Sequence, residues 1–157
     1  MTIRVLVADD QAMIRGALAG LLDLERDIEV VAQAADGAQA LEELARLASA
    51  DDPSDPARAS APVDVAIIDI EMPRMDGITA TQAIRARFPG VRVLIVTTFG
   101  RPGYLQRALD TGATGFMVKD APVETLADGV RTVAAGGRAI DQSLALEALS
   151  TGSSPLT

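Results

Sequence analysis

The sequence predicts an α/β fold, a (βα)5 doubly wound parallel sheet. Three observations predict it. Five short apolar runs rich in Val and Ile recur along the 157 residues, with the length and composition of strands buried on both faces. Segments with apolar residues at helical spacing separate the runs. The strand–helix alternation then repeats five times, which favours parallel strands joined by right-handed crossovers.

Ile3-Arg4-Val5-Leu6-Val7-Ala8 reads as the first strand and ends in Asp9-Asp10. The first helix spans about residues 11–24, with Ile14, Ala17, Leu18 and Leu21 as its apolar stripe. Asp27 precedes a second strand over residues 28–33. Asp36-Gly37 is a turn or cap, and the second helix, 38–47, carries Leu41, Leu44 and Leu47. Residues 49–62 are small, acidic and proline-rich; with no hydrophobic face to bury, they read as a mobile loop. The third strand, Val63 to Ile68, runs into Asp69. Pro73 biases Met72 to an extended backbone in the loop that follows. A helix over residues 78–88 stops at Pro89-Gly90. The fourth strand, 91–96, ends in Thr97-Thr98. A helix over 104–110 has Gly112 beyond its end, where a left-handed residue fits. The fifth strand, 114–118, ends in Lys119. Pro122 suits the first turn of a fifth helix running to about residue 135, which Gly136-Gly137 terminates.

Composition narrows the function. Hydrophobic residues make up 48% of the chain, yet there is no Trp, one Tyr and three Phe, so the core is Val, Ile, Leu and Ala. Without Cys there is no disulfide, thiolate metal site or thiol nucleophile. Without His the commonest general base and metal ligand is missing. A net charge of −8 argues against nucleic-acid binding by this chain. The N-terminus lacks a signal-peptide layout and no apolar run reaches membrane-spanning length, so a cytoplasmic location is expected.

In a parallel sheet the C-terminal ends of all strands share one edge, where ligands bind. This sequence places Asp9, Asp10, Asp69, Thr97 with Thr98, and Lys119 there. The strand order that would assemble them around a crevice between strands one and three is the flavodoxin-like 2-1-3-4-5, an order known from other doubly wound sheets and not fixed by this sequence. Each alone has an ordinary reading. Asp9-Asp10 suits a helix cap, Lys119 a solvated loop, Thr97 a strand, and Asp69 the end of one. Their coincidence on one edge points to chemistry. Three crowded carboxylates repel one another unless a cation is bound, and hard oxygen ligands suit Mg²⁺ better than Zn²⁺. A carboxylate can attack phosphorus to give an acyl phosphate, and that transfer needs positioning and charge neutralisation more than a base. Lys119 supplies a point charge and Thr97 a hydroxyl donor.

Leu6-Val7-Ala8-Asp9-Asp10, Ile68-Asp69-Ile70-Glu71-Met72-Pro73 with Met75-Asp76-Gly77, Val96-Thr97 and Gly115-Phe116-Met117-Val118-Lys119 together resemble the receiver domain of two-component response regulators, over residues 3 to about 136. The resemblance implies that Asp69 accepts a phosphoryl group from a histidine kinase. It implies that Asp10, Asp69 and the Glu71 backbone carbonyl bind Mg²⁺, with Asp9 acting through a water. Thr97 and Lys119 would contact the phosphoryl group, and Thr97 and Phe116 would form the switch. Thr97-Thr98-Phe99-Gly100-Arg101-Pro102-Gly103-Tyr104 and Lys119-Asp120-Ala121-Pro122 are similar to NarL/FixJ-type regulators, in particular a DesR-like branch. Glu71 and Phe99 would tune the lifetime of the phosphoryl group.

The implied organisation is a receiver domain over residues 1–137. A short helix (141–149) and linker within 138–157 would lead toward a C-terminal LuxR-type helix-turn-helix domain, before which the chain is truncated. DNA binding then belongs to the full-length protein. Phosphorylation would switch homodimerisation, with helices one and five favoured over the face around helix four. Such a protein is a phosphoacceptor, not an enzyme, beyond the self-catalysed loss of its phosphoryl group. An aspartate-nucleophile phosphatase is the rival reading, but it wants a second Asp two residues after the nucleophile, where this chain has Glu71. A flavodoxin-like cofactor binder would want a Ser/Thr/Gly phosphate loop and stacking aromatics, and this chain has Asp9-Asp10-Gln11 and few aromatics.

Overall fold

A computed structural model describes residues 2–50, 61–97, 104–119 and 121–140. Most of the acidic loop expected over 49–62, the residues Thr98, Phe99 and Asp120, and the helix and linker expected after residue 140 lie outside the described residues.

The strands are β1 (Ile3–Ala8), β2 (Ile28–Ala34), β3 (Val65–Asp69), β4 (Arg92–Thr97), β5 (Gly115–Val118) and β6 (Ala139–Ile140). The helices are α1 (Ala12–Asp23), α2 (Gly37–Ala50), α3 (Gly77–Arg87), α4 (Tyr104–Asp110) and α5 (Val123–Ala134). They form one parallel sheet in the order β2-β1-β3-β4-β5-β6. The expected order 2-1-3-4-5 is therefore present, with one more strand at its edge. That sixth strand has no sequence signal of its own. Two residues beyond the Gly136-Gly137 turn pair Ala139 with Gly115 and Ile140 with Phe116. The sheet thus continues to Ile140, past the limit of 137 read from the sequence.

Side-chain alternation along the strands builds two cores. Leu6, Ile68, Ile95 and Phe116 face one way, against Leu41 and Leu44 of α2, Ile84 of α3 and Ala108 of α4. Val5, Val7, Val65, Ile67, Leu94, Val96 and Met117 face the other, against Ala19 and Leu22 of α1 and Leu126, Val130 and Val133 of α5. β3 is buried along its whole length, which holds its last residue, Asp69, on a rigid mount.

One apolar stripe is not where its spacing suggested. α1 buries Ala19 and Leu22, whereas Ile14 and Leu21 are 41% and 47% exposed and Met13 and Leu24 more so. Gly16, Ala17 and Gly20 are exposed, and a Cβ on Gly16 or Gly20 would meet nothing within 4 Å, so Ala19 and Leu22 are the buried anchors of α1 on the sheet. Met13, Ile14, Leu21 and Leu24 point outward. Ile14, Leu18 and Leu21 line a shallow groove of about 220 Å³ with Ala121, Val123 and Leu126, and Lys119 also borders it.

Candidate functional site

β1 and β3 are neighbours in parallel register, from Val5 opposite Val65 to Ala8 opposite Ile68. The next residue on each is an aspartate, so register alone sets Asp9 level with Asp69. Both are buried, while Asp10, one residue on, is exposed. One carboxylate oxygen from each of Asp9, Asp10 and Asp69 falls within 4.8 Å of the others, a grouping able to hold a metal ion.

Lys119 closes the group from β5. Its N–H donates to the Thr97 carbonyl at 2.8 Å, which extends the β4–β5 ladder by one step and fixes where the side chain leaves the sheet. Its ammonium lies 2.7 Å from Asp9 Oδ2 and 3.1 Å from Asp69 Oδ2. Asp9 is otherwise occupied by the Gln11 N–H, which donates to its Oδ1 at 2.9 Å. The helix-cap reading of Asp9-Asp10 is not realised, since Gln11 stands at the N-cap of α1 without a side-chain cap bond; one Asp9 oxygen steadies the approach to α1 and the other faces Lys119. Thr97 is buried as the last residue of β4.

The electrostatics follow from geometry. Burial pushes the Asp69 carboxyl up to about 6; Lys119 opposes the rise, and the charges of Asp9 and Asp10 add to it. Burial works against the Lys119 ammonium too, but its bonds to Asp9 and Asp69 outweigh that and hold its pKa above the ordinary lysine value. One cation faces three carboxylates. The set therefore has room in charge, and oxygen donors in number, for a divalent cation such as Mg²⁺.

The rest of the sequence-derived set is placed as follows. Glu71 is exposed, two residues beyond Asp69, in the loop between β3 and α3. That loop turns tightly. The Gly77 N–H donates to the Ile70 carbonyl at 2.8 Å, and a Cβ on Gly77 would stand 2.2 Å from the Asp69 carbonyl oxygen. Phe116 has its ring fully buried among Leu6, Ile68 and Ile95. Sequence reasoning passed over Arg15, whose Nη1 donates to the Asp9 carbonyl at 2.7 Å. A lone arginine one turn into a helix carries no signal that it reaches back to the strand end.

The doubly wound sheet, with clustered carboxylates and one lysine at its C-terminal edge, defines the class, open α/β folds that take ligands at that edge. Within it, residues 5–131 match the model of the response regulator receiver domain, and the chain belongs to that family. Its relatives are NarL- and DesR-type transcriptional regulators. The transcriptional regulatory protein DesR of Bacillus subtilis is 39% identical over 155 residues, covering 99% of this chain and 69% of the relative. The regulatory protein YvfU of the same organism is 38% identical over 142 residues, covering 90% and 64%. Among solved structures, the receiver domain of the response regulator NarL from Mycobacterium tuberculosis superposes with a TM-score of 0.73 at 33% identity, covering 86% of this chain and 98% of that one. The response regulator ChrA of a heme-sensing two-component system gives 0.71 at 34% identity, covering 99% and 68%. This chain thus spans about two thirds of the length of the curated relatives. Those relatives are regulators and not enzymes, and nothing favours the phosphatase reading. Among the described residues no helix is long and apolar enough to cross a membrane.

Proposed function

We propose that this chain is a cytoplasmic phosphorylation switch in which Asp69 accepts a phosphoryl group from a sensor histidine kinase with Mg²⁺ bound. The observation that carries the reading is the Lys119 ammonium held between Asp9 and Asp69 at the ends of three different strands. The Asp69 carboxylate oxygen attacks phosphorus, the bond to the donor breaks, and an acyl phosphate forms on Asp69. Asp10, Asp69 and the Glu71 carbonyl would hold the ion and Asp9 a water bound to it; the ion supplies charge neutralisation to the transferring group. Lys119 pairs with the phosphoryl oxygens, and Thr97 donates its hydroxyl to them. Phe116 and Thr97 then repack together. Hydrolysis of the acyl phosphate resets the switch.

The output of this switch is dimerisation through α1 and α5, where exposed Ile14 and Leu21 line a shallow groove with half-buried Val123. Residues beyond Ile140 would connect to a DNA-binding domain, so that dimerisation sets transcriptional output in the full-length protein.

Treatment with a small phosphodonor, or with beryllofluoride, in the presence of Mg²⁺ tests the core of this reading. Mass spectrometry should find one modification at Asp69, lost in Asp69→Ala; incorporation that survives the substitution overturns it. Sedimentation of the beryllofluoride complex tests the output. The wild-type chain should dimerise and Leu21→Glu should remain monomeric, whereas an unchanged dimer in Leu21→Glu removes the α1 face from the interface.

A further inference from the structure

We propose that Asp36 and Arg74 form a latch that positions the β3–α3 loop, and with it the Glu71 carbonyl, for metal binding. The inference rests on the Mg²⁺-dependent reading given above.

Asp36 is buried at the corner between β2 and α2, 4% exposed. One of its carboxylate oxygens accepts the Gln39 N–H at 2.8 Å and so caps α2. The other accepts two N–H groups of Arg74, from Nε at 2.8 Å and from Nη2 at 2.5 Å. Arg74 comes from a loop 38 residues further along the chain. Beside this pair the Gly37 N–H donates to the Met75 carbonyl at 3.2 Å. A Cβ on Gly37 would stand 2.8 Å from that oxygen, so glycine is what allows the approach. The loop is therefore gripped on its outer side by the β2–α2 corner. On its inner side Gly77 lies against the Asp69 carbonyl. Glu71 lies between the two grips.

The backbone at Arg74 is the second observation. Its φ is +66°, the only positive φ at a non-glycine residue among those described. That conformation is disfavoured for any residue with a Cβ. A glycine would adopt it freely but would carry no guanidinium to Asp36. The Arg74 side chain is 68% exposed although Asp36 is buried, so water takes over part of the role of the guanidinium when it is removed. What the pair provides is geometry: it fixes the direction in which the loop leaves Pro73 and returns through Met75.

Arg74→Gly separates geometry from folding, because it relieves the strained φ while removing the guanidinium. In metal-free buffer its melting temperature should fall only modestly, because relief of the positive φ and the retained Gln39 N–H offset part of the cost of leaving Asp36 buried without its cation. Its Mg²⁺ Kd, measured by calorimetric titration of the 157-residue chain, should weaken by about 10-fold, in the range found when groups supporting metal ligands are removed. The Mg²⁺ concentration for half-maximal phosphorylation by a small phosphodonor should rise in parallel, with the rate at saturating Mg²⁺ preserved. Arg74→Lys, which keeps a cation for Asp36, should recover part of the affinity. Asp36→Asn, which keeps an oxygen for the Gln39 N–H, should resemble Arg74→Gly, and the double variant should be no weaker than either single one. If the wild type binds Mg²⁺ and accepts a phosphoryl group while Arg74→Gly matches its Kd, the latch is overturned and the switch reading stands. If the wild type does neither, the switch reading fails, and the latch with it.

Discussion

The two edges of the sheet carry the same charge inventory and do opposite things with it. At the C-terminal edge Lys119 sits among Asp9, Asp10 and Asp69. At the N-terminal edge Arg131 of α5 sits among Glu25, Asp27 and Asp128, at 2.6, 2.8 and 2.9 Å. Each is one cation facing three carboxylates. Yet the Asp69 carboxyl is driven up to about 6, chiefly by burial, while the hydrogen bond from Arg131 holds Asp27 below the usual carboxylate range. Water makes the difference. Lys119 is 11% exposed against 34% for Arg131, and a solvated carboxylate keeps its charge at small cost whereas a buried one does not. The guanidinium also offers several N–H groups in a planar fork, so it satisfies its acidic partners at once. The lower cluster is an ordinary surface brace between α5 and the α1–β2 turn. The upper one is short of positive charge, which is the condition for attracting a metal ion.

Lys119→Met should break the comparison most sharply. In metal-free buffer at pH 7.5 it leaves Asp9 and Asp69 buried without their cation and should cost about 3–5 kcal/mol of unfolding free energy, read from urea titration. Added Mg²⁺ should return part of that loss. A cost no greater than that of removing Arg131 would mean that the two edges are energetically alike.

Asp69→Asn should act in the other direction and more weakly. Because the folded state raises the Asp69 pKa, ionisation of this group disfavours folding. Its favourable contribution is complete below the unfolded value near 4 and is lost as pH rises through about 6. The Asn variant should therefore be more stable than the metal-free wild type at pH 7.5, by about 3 kcal/mol, and equal to it only well below the unfolded value, at about pH 3. A gap that persists undiminished at about pH 3 would assign the effect to packing instead of charge.

Arg131→Met should show the smallest effect. A slight fall in melting temperature is expected at low salt, fading as ionic strength approaches about 1 M. Phosphorylation kinetics should not change. A change in the phosphorylation rate would mean that the lower cluster communicates with the upper one.

The fold was legible because its strands are Val- and Ile-rich runs with few competitors, and because the site residues directly follow those runs. Asp9, Asp69, Thr97 and Lys119 each occupy the last position of a strand or the next one along. Parallel pairing then brings strand ends together whatever the loops do. The α1 stripe was misplaced for a related reason. Ile14, Ala17, Leu18 and Leu21 have helical spacing, but spacing identifies a stripe and not the surface it will cover. Here Ala19 and Leu22 of α1 meet the sheet, Leu18 is half-buried, and Ile14 and Leu21 meet solvent.

By itself, then, the sequence determined the order of strands and helices, the apolar interior and the residue types that end each strand, because periodicity and turn chemistry are local. Only the tertiary structure decided which carboxylates are buried beside Lys119, which side of α1 stays exposed, that Ala139–Ile140 adds a sixth strand, and that Arg74 reaches Asp36. These are contacts between residues tens of positions apart. Their energies depend on the water that packing removes, and no local pattern in the chain records that quantity.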